Sequence, residues 1–411
     1  MAVVPVIASD QSLAFLAEGY AFGHRRFERL GTDAFRTRLM GRRVLMLRGH
    51  RAVRFFYEGD RFTRTGAVPR SVLHSLQDTD SVQTLTGAPH RRRKSLFVEA
   101  LADGEALRAE FERAWDRAER EWIQAGRVAV LPAAGAVLTA AALAWAGIPV
   151  DRETGERRTA EFLAMIDGAG SFGWRNWRGR ALRLRTERWA TGVVRAAVDG
   201  EAPEGSPLQL VARHEDGLGS PMTEHARVVE LLNLLRPVTA VARFIAFAAL
   251  ALHRQPAWIE RVREDPADAA RFAQEVRRTA PFFPAIGGRA VQALDLDGIA
   301  IEPDEWVVVD LFATNRHPAE WTRADRFDPD RFATTSPPEV VAQGGGDIAT
   351  GHRCPGEPAT VDLLVAASER LAALPSVLAP QSLRVALDRL PAQPGHEGVR
   401  LLVGATADAV A

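Results

Sequence analysis

A single cysteine, Cys354, stands near the end of a chain of 411 residues. The stretch that holds it reads Gln343-Gly-Gly-Gly-Asp-Ile-Ala-Thr-Gly-His-Arg-Cys354-Pro-Gly-Glu357. Glycines let a backbone pass close to something flat or bulky. An apolar helical stretch at 359–374 follows, and the N–H groups that open a helix favour a thiolate over a thiol. A lone cysteine is more often a small buried apolar side chain. A nucleophilic one needs a base, and His352 is close in sequence without being shown to face the sulfur. The glycine run and Arg353 turn the balance toward a sulfur that ligates a metal.

The second residue with chemistry is Arg236, in Asn233-Leu-Leu-Arg236-Pro237-Val-Thr239. An arginine among Leu234, Leu235 and Val238 is costly to bury unless an anion pairs with it. That anion is either an internal Asp or Glu or a substrate carboxylate, which the planar guanidinium binds through two parallel bonds. Pro237 removes the bond to the carbonyl of Asn233 and bends the helix. Upstream, His90, Arg91, Arg92, Arg93 and Lys94 follow Pro89. They read either as a solvated basic face or as a surface for an anionic group. Glu275 and Arg278 lie three apart, on one helix face, which is commonplace for a surface pair.

Together these stretches carry a resemblance. Gly351-His-Arg-Cys-Pro-Gly-Glu357 resembles the haem-binding loop of the cytochrome P-450 superfamily. It is most similar to the bacterial fatty-acid peroxygenase branch, whose loop reads QGGGxxxxGHRCPGE. Thr350 and His352 depart from the superfamily's usual glycine and arginine, and the branch shares the arginine's move to position 353. The Arg236-Pro237 pair on a long central helix is similar to the branch's distinguishing mark. There it replaces the acid–alcohol pair that delivers protons to bound oxygen. Glu275-Val-Arg-Arg278 and Phe327-Asp-Pro-Asp-Arg331-Phe332 resemble the ExxR helix and the PERF segment, with Asp330 in place of glutamate.

The resemblance runs from about 12 to 404 and implies the rest. The expected fold is mainly α: one haem-thiolate domain over 1–411, the cytochrome P-450 fold with a small β-sheet lobe. The implied cofactor is haem b, with Cys354 as axial thiolate. Arg64, His90, Lys94 and Arg289 are the implied propionate contacts. Glu275, Arg278 and Arg331 are an implied structural triad behind the haem. The implied activity is hydroxylation of long-chain fatty acids at the α or β carbon by hydrogen peroxide. Arg236 and Pro237 would hold the substrate carboxylate, which acts as general acid–base, and no redox partner is obligatory. Gln83 would face the haem near the substrate's head. An amide there, unlike the histidine of relatives that chiefly decarboxylate, favours hydroxylation, though Gln83 can equally bond loop backbone. Decarboxylation to terminal alkenes and a reductase-fed monooxygenase stay as alternatives, as does a non-catalytic haem or fatty-acid binder. Gln77 stands where relatives often have phenylalanine, and Gly287 and Gly288 where they more often have apolar side chains.

The elements that must position these groups are mostly helical. Apolar patterning predicts helices at 12–30, 50–57, 89–101, 105–124, 128–146, 156–166, 176–198, 223–252 and 268–280. Residues 34–47 alternate around Gly41, a hairpin signal. Further strands are expected at 281–289, 294–301 and 306–311, with terminal hairpins at 382–403. Residues 61–68, 71–87 and 201–221 read as loops, and 167–173 as a glycine-rich joint between helices. Apolar residues make up 46% of the chain and the formal net charge is zero. That suits a soluble globular protein and gives no reason to expect nucleic acid. One cysteine excludes an intramolecular disulfide. The N-terminus lacks the pattern of a signal peptide, so the cytoplasm is expected. Residues 128–150 carry no charge and are long enough to span a bilayer. Their prolines and glycines read instead as a buried helix between turns, and no integral membrane protein is expected.

Overall fold

The computed structural model describes residues 3–67, 78, 80–171, 173–217, 220–334 and 336–404. Strands Ala34–Leu39 and Arg42–Leu47 form the expected hairpin. Met40 and Gly41 both take positive φ between them, the two-residue turn whose twist suits flanking strands. The hairpin seeds a six-stranded mixed sheet. Its order is Val6–Asp10, Ala34–Leu39, Arg42–Leu47, Trp306–Asp310, Ala285–Ala290, Phe62–Thr63. Trp306–Asp310 runs parallel to Arg42–Leu47 and antiparallel to Ala285–Ala290. Phe62–Thr63 lies in the predicted loop 61–68, and Thr63 pairs with Arg289. The sheet is a side lobe, and the remainder is mainly helical.

The helical body surrounds the helix Glu224–Ala240, capped by Thr223 Oγ1, which accepts from the N–H of Ala226. Nearly all of its last eleven residues are buried. The expected single helix over 223–252 is two. It breaks at Val241, one turn past Pro237, and resumes as Ala242–Arg254. The missing N–H of Pro237 frees the carbonyl of Asn233, and the ladder yields one turn later. This run, 224–254, is long and apolar enough to cross a membrane, but 78% of its most apolar window is buried in the fold. Val130–Trp145 packs beside it as the predicted buried helix.

Other expectations are corrected. The helix over 12–30 splits into Ser12–Glu18 and Ala21–Leu30. Gly19 turns there with φ +53°, and a β-carbon on it would lie 2.2 Å from the carbonyl oxygen of Leu387. The loop over 201–221 contains the helix Pro207–Arg213, whose cap is the Ser206 hydroxyl. Of the expected terminal hairpins, an isolated antiparallel bridge joins Val385 to Pro394, and Arg400–Val403 is the middle strand between Ser376–Leu378 and Arg127–Ala129. Distant partners, rather than local turns, hold that end of the chain.

Candidate active site

Cys354 lies just before the helix Glu357–Ala373, with its N–H on the carbonyl of Gln343 at 3.3 Å. The three glycines before it rest on the helix His50–Tyr57. A β-carbon would lie 2.6 Å from Tyr57 Oη at Gly344, 2.3 Å from Val53 at Gly345, and 2.7 Å from Tyr57 at Gly346. The bulky neighbour that these glycines admit is therefore Tyr57. Gln343 points its amide nitrogen at the sulfur, 3.7 Å away. Burial pushes the Cys354 thiol up, and the Gly356 N–H and Lys94 only partly offset it. Binding of the sulfur to a metal cation would favour its thiolate.

Three of the four predicted propionate contacts gather beside this loop. Arg64 is buried, donates to the carbonyl of Gly287 at 2.8 Å, and lies over the Phe56 ring. His90, on the helix Gly87–Ala100, stacks on His352 with centroids 3.8 Å apart. Lys94, one turn on, donates to the carbonyl of Arg353. Burial holds Lys94 down at about 8 and His90 at about 4. Burial, with Arg64 and His90 adding to it, holds His352 at about 2. None of Arg64, His90 and Lys94 has an ion pair among the described residues. Arg289 is the exception: it pairs with Asp304 on the sheet's rim, with Nε 2.5 Å from Oδ1. Arg353, expected only from the loop pattern, pairs with Glu357 at 2.8 Å and with Glu339. His352, which the sequence reading weighed as a base for the cysteine, stacks on the buried His90.

Gly287 and Gly288 do not bear on width at the site. A β-carbon on Gly288 would lie 2.8 Å from Phe62 and 2.9 Å from Phe56, and one on Gly287 3.0 Å from Trp306 Nε1. Both are set by contacts inside the sheet lobe. Gln77 lies outside the described residues.

The triad assembles as expected. Arg278 binds Glu275 through two bonds of 2.7 Å, and Arg331 Nε donates to Glu275 Oε2 at 3.1 Å. Arg278 also donates to the carbonyls of Asn315, Ala324 and Arg326, and Glu275 accepts the N–H of Asp328. Glu275 and Arg278 are wholly buried, so the pair is no surface ornament. Asp330 faces Arg261 instead.

Arg236 is buried and has no carboxylate partner among the described residues. Its Nη2 donates to Asn233 Oδ1 at 2.9 Å, while Nη1 is buried with no partner. Burial, and then the charge of Arg183, hold it down at about 9, so it stays a cation at neutral pH. Behind it lies a chain that sequence reading missed. Asn233 Nδ2 donates to Glu230 Oε2 at 2.9 Å, and Glu230 Oε1 accepts from Arg93 at 2.8 Å and from the Val82 N–H at 2.7 Å. The i, i+3, i+6 spacing of Glu230, Asn233 and Arg236 was its only visible signal. Gln83, in the short turn Val82–Thr84, accepts from Asn233 at 3.4 Å and so bonds the central helix rather than its own loop. Thr239 bonds the Thr139 hydroxyl at 2.9 Å, and both are fully buried.

The geometry fits a haem. Among the described residues, no three His, Cys, Asp or Glu are grouped to hold a bare metal ion. An iron at Cys354 therefore needs most of its ligands from another group. Buried cations without acids beside the sulfur would serve that group's carboxylates. Two open hollows of about 420 and 360 Å³ lie on the outer side of the loop, lined by Arg277, Arg353 and Glu357, and hold none of these groups.

Comparison with known proteins agrees. The family model for Cytochrome P-450 matches residues 271–345. The structure of cytochrome P-450EX alpha (CYP152N1) with myristic acid superposes with a TM-score of 0.92 and 32% identity, over 98% of this chain and 99% of that one. A variant of cytochrome P-450 OleT in complex with arachidonic acid matches with a TM-score of 0.93 and 28% identity, over 99% and 100%. Among curated proteins, EryCII of Saccharopolyspora erythraea, a cytochrome P-450 family protein, is 29% identical over 230 residues, 54% of this chain and 61% of that one. The match thus spans under two thirds of that relative. The chain belongs to the cytochrome P-450 superfamily, in its bacterial fatty-acid peroxygenase branch, and its cofactor is a haem with a cysteine thiolate, Cys354, as axial ligand.

Proposed function

We propose that this chain hydroxylates long-chain fatty acids at the α or β carbon with hydrogen peroxide, as one cytoplasmic haem-thiolate domain over 1–411 without an obligatory redox partner. The observation that carries this reading is the buried, unpartnered Nη1 of Arg236. A cation kept from both acid and water is costly unless a ligand's anion completes it. The relatives solved with myristic and arachidonic acid make a fatty carboxylate the natural anion.

When bound, the haem supplies an iron at which the peroxide O–O bond breaks, the thiolate pushing electron density toward that cleavage. In balance, a C–H bond and the O–O bond break, a C–O bond and an O–H bond form, and water leaves. The carbon is oxidised by two electrons and the peroxide reduced by two. Arg236 Nη1 holds the carboxylate, which takes a proton from one peroxide oxygen and returns it to the departing one. Pro237 bends the helix that presents Arg236, and Gln83 lies beside the carboxylate's anchor. The substrate supplies the proton relay because Thr239, the nearest hydroxyl on the helix, is bonded to Thr139. Arg64, His90 and Lys94 hold the propionates, and Arg289 joins them only by leaving Asp304.

The test is product analysis of haem-loaded protein with tetradecanoic acid and hydrogen peroxide, without reductase. A 2- or 3-hydroxy acid is expected, and activity only with a reductase would overturn the reading. Arg236→Ala should raise the fatty-acid Kd about 100-fold or more, the weight of a desolvated ion pair. It should keep its haem, and a short carboxylate should support turnover of a non-acid substrate in the parent but not in the variant. Unchanged Kd and turnover would remove the carboxylate from the mechanism.

A further inference from the structure

One fully buried carboxylate has no part in the mechanism above. Glu230 is 0% exposed and accepts three bonds: from Val82 N–H, Arg93 Nη1 and Asn233 Nδ2. Burial raises the Glu230 carboxyl, and the bonds from Asn233, Arg93 and Val82 oppose that rise. As the carboxylate paired with Arg93 it can only accept, so Asn233 turns its NH2 toward it. Its carbonyl oxygen is then the end left for Arg236 Nη2, at 2.9 Å. The same NH2 reaches Gln83 Oε1 at 3.4 Å, which leaves the Gln83 NH2 as its free end. Asn233 thus serves an acceptor at Glu230 and a donor at Arg236, and only this orientation serves both. The ends that remain for a ligand are donors: Arg236 Nη1 and the Gln83 amide.

We propose that Glu230 is a positioning residue that sets the polarity of this chain, so that the anchor beside Arg236 presents donors only and selects a carboxylate over a neutral head group. The inference rests on the carboxylate-anchoring reading and adds the residue that enforces it. Distance keeps the charges in order. Glu230 meets Arg93 directly, and Arg93 also meets Asp216 at 2.5 Å. Glu230 reaches Arg236 only through the neutral Asn233. An acid one turn closer would pair with Arg236 and abolish the anion site.

Two variants test this. In Glu230→Gln the shape is kept, but the oxygen stays with Val82 and Arg93 and the new NH2 faces Asn233, which then meets a donor whichever way it turns, the introduced amide or Arg236. The fatty-acid Kd, read from the substrate-induced shift of the haem Soret band, should rise about tenfold or more, the effect of one misdirected buried hydrogen bond. Imidazole, a neutral iron ligand, should bind as before. In the double variant Glu230→Gln with Asn233→Asp, the introduced carboxylate accepts both from the introduced amide and from Arg236. Thermal stability should return toward that of the parent while fatty-acid binding stays lost, because Arg236 now has an internal acid. A parental Kd in Glu230→Gln overturns the proposal. Should the single variant be too unstable to purify, its Kd is read at low temperature in a stabilising osmolyte, where the same tenfold rise supports the proposal and a parental Kd overturns it. Arg236→Ala separates the levels. If it leaves Kd unchanged, the anchoring reading fails; if it weakens binding and Glu230→Gln does not, only this inference fails.

Discussion

Arg64 stands among aromatic rings and backbone, with no acid to meet it among the described residues. Burial pulls its pKa down from the usual arginine value, and Tyr57 compensates only in part. On the proposed reading, a haem propionate completes this buried guanidinium. Arg64→Ala should therefore loosen the haem rather than the fold. Haem transfer to an acceptor protein should speed up about tenfold or more, as expected for one charge-assisted bond of about 1.5–3 kcal/mol. The far-ultraviolet circular dichroism should stay as it is. Unchanged transfer would leave Arg64 as a packing residue. Arg289, already paired with Asp304 and partly exposed, should give a much smaller effect in the same assay.

Elements meet at Glu275. Its helix, Pro266–Thr279, presents one carboxylate to Arg278, to Arg331 and to the backbone of Asp328. Arg278 in turn ties down three carbonyls of the 315–326 segment. This node joins the helix to the stretch that leads into the Cys354 loop. Removing one partner of a buried pair leaves an uncompensated charge, which costs about 3–5 kcal/mol. Glu275→Gln keeps the shape and should lower stability by that order in chemical denaturation, with weaker haem uptake on refolding. A change below about 1 kcal/mol would mean that the carbonyls alone hold Arg278.

At the scale of the whole molecule, Asp310 links the sheet lobe to the N-terminal helices. It ends the strand Trp306–Asp310, caps the turn Leu311–Thr314 through the Ala313 N–H, and packs against Gly23, where a β-carbon would lie 2.0 Å from Oδ2. Burial pushes its carboxyl up to about 7. Because the folded pKa is raised, its stabilising contribution is complete below about pH 4, the ordinary aspartate value. It is lost as pH rises to about 7. Asp310→Asn keeps a capping oxygen and removes this titration. Its melting temperature should fall less than the parent's between pH 5 and pH 8, a difference on the order of 2–4 kcal/mol at most. Parallel pH profiles for parent and variant would show that Asp310 does not titrate in this range.

The sequence by itself determined the chemistry that rests on rare residue types. One cysteine among glycines, and one arginine beside a proline within leucines, singled out Cys354 and Arg236, and the resemblance of both stretches to one family read them as a thiolate ligand and an anion site. The hairpin at Gly41 and the Thr223 cap were legible because local turn and cap rules leave few alternatives. Only the tertiary structure decided where charges find partners. Arg236 lacks an acid among the described residues, Arg289 pairs with Asp304, Arg353 pairs with Glu357, and His352 stacks on His90. It also decided the breaks at Gly19 and Val241 and the pairing of Arg400–Val403 with distant strands. The Glu230–Asn233 chain joins residues on the central helix to the Val82 turn and to Arg93, some 140 positions earlier. Pairing of that kind depends on which surfaces packing brings together, and local patterning carries no record of it.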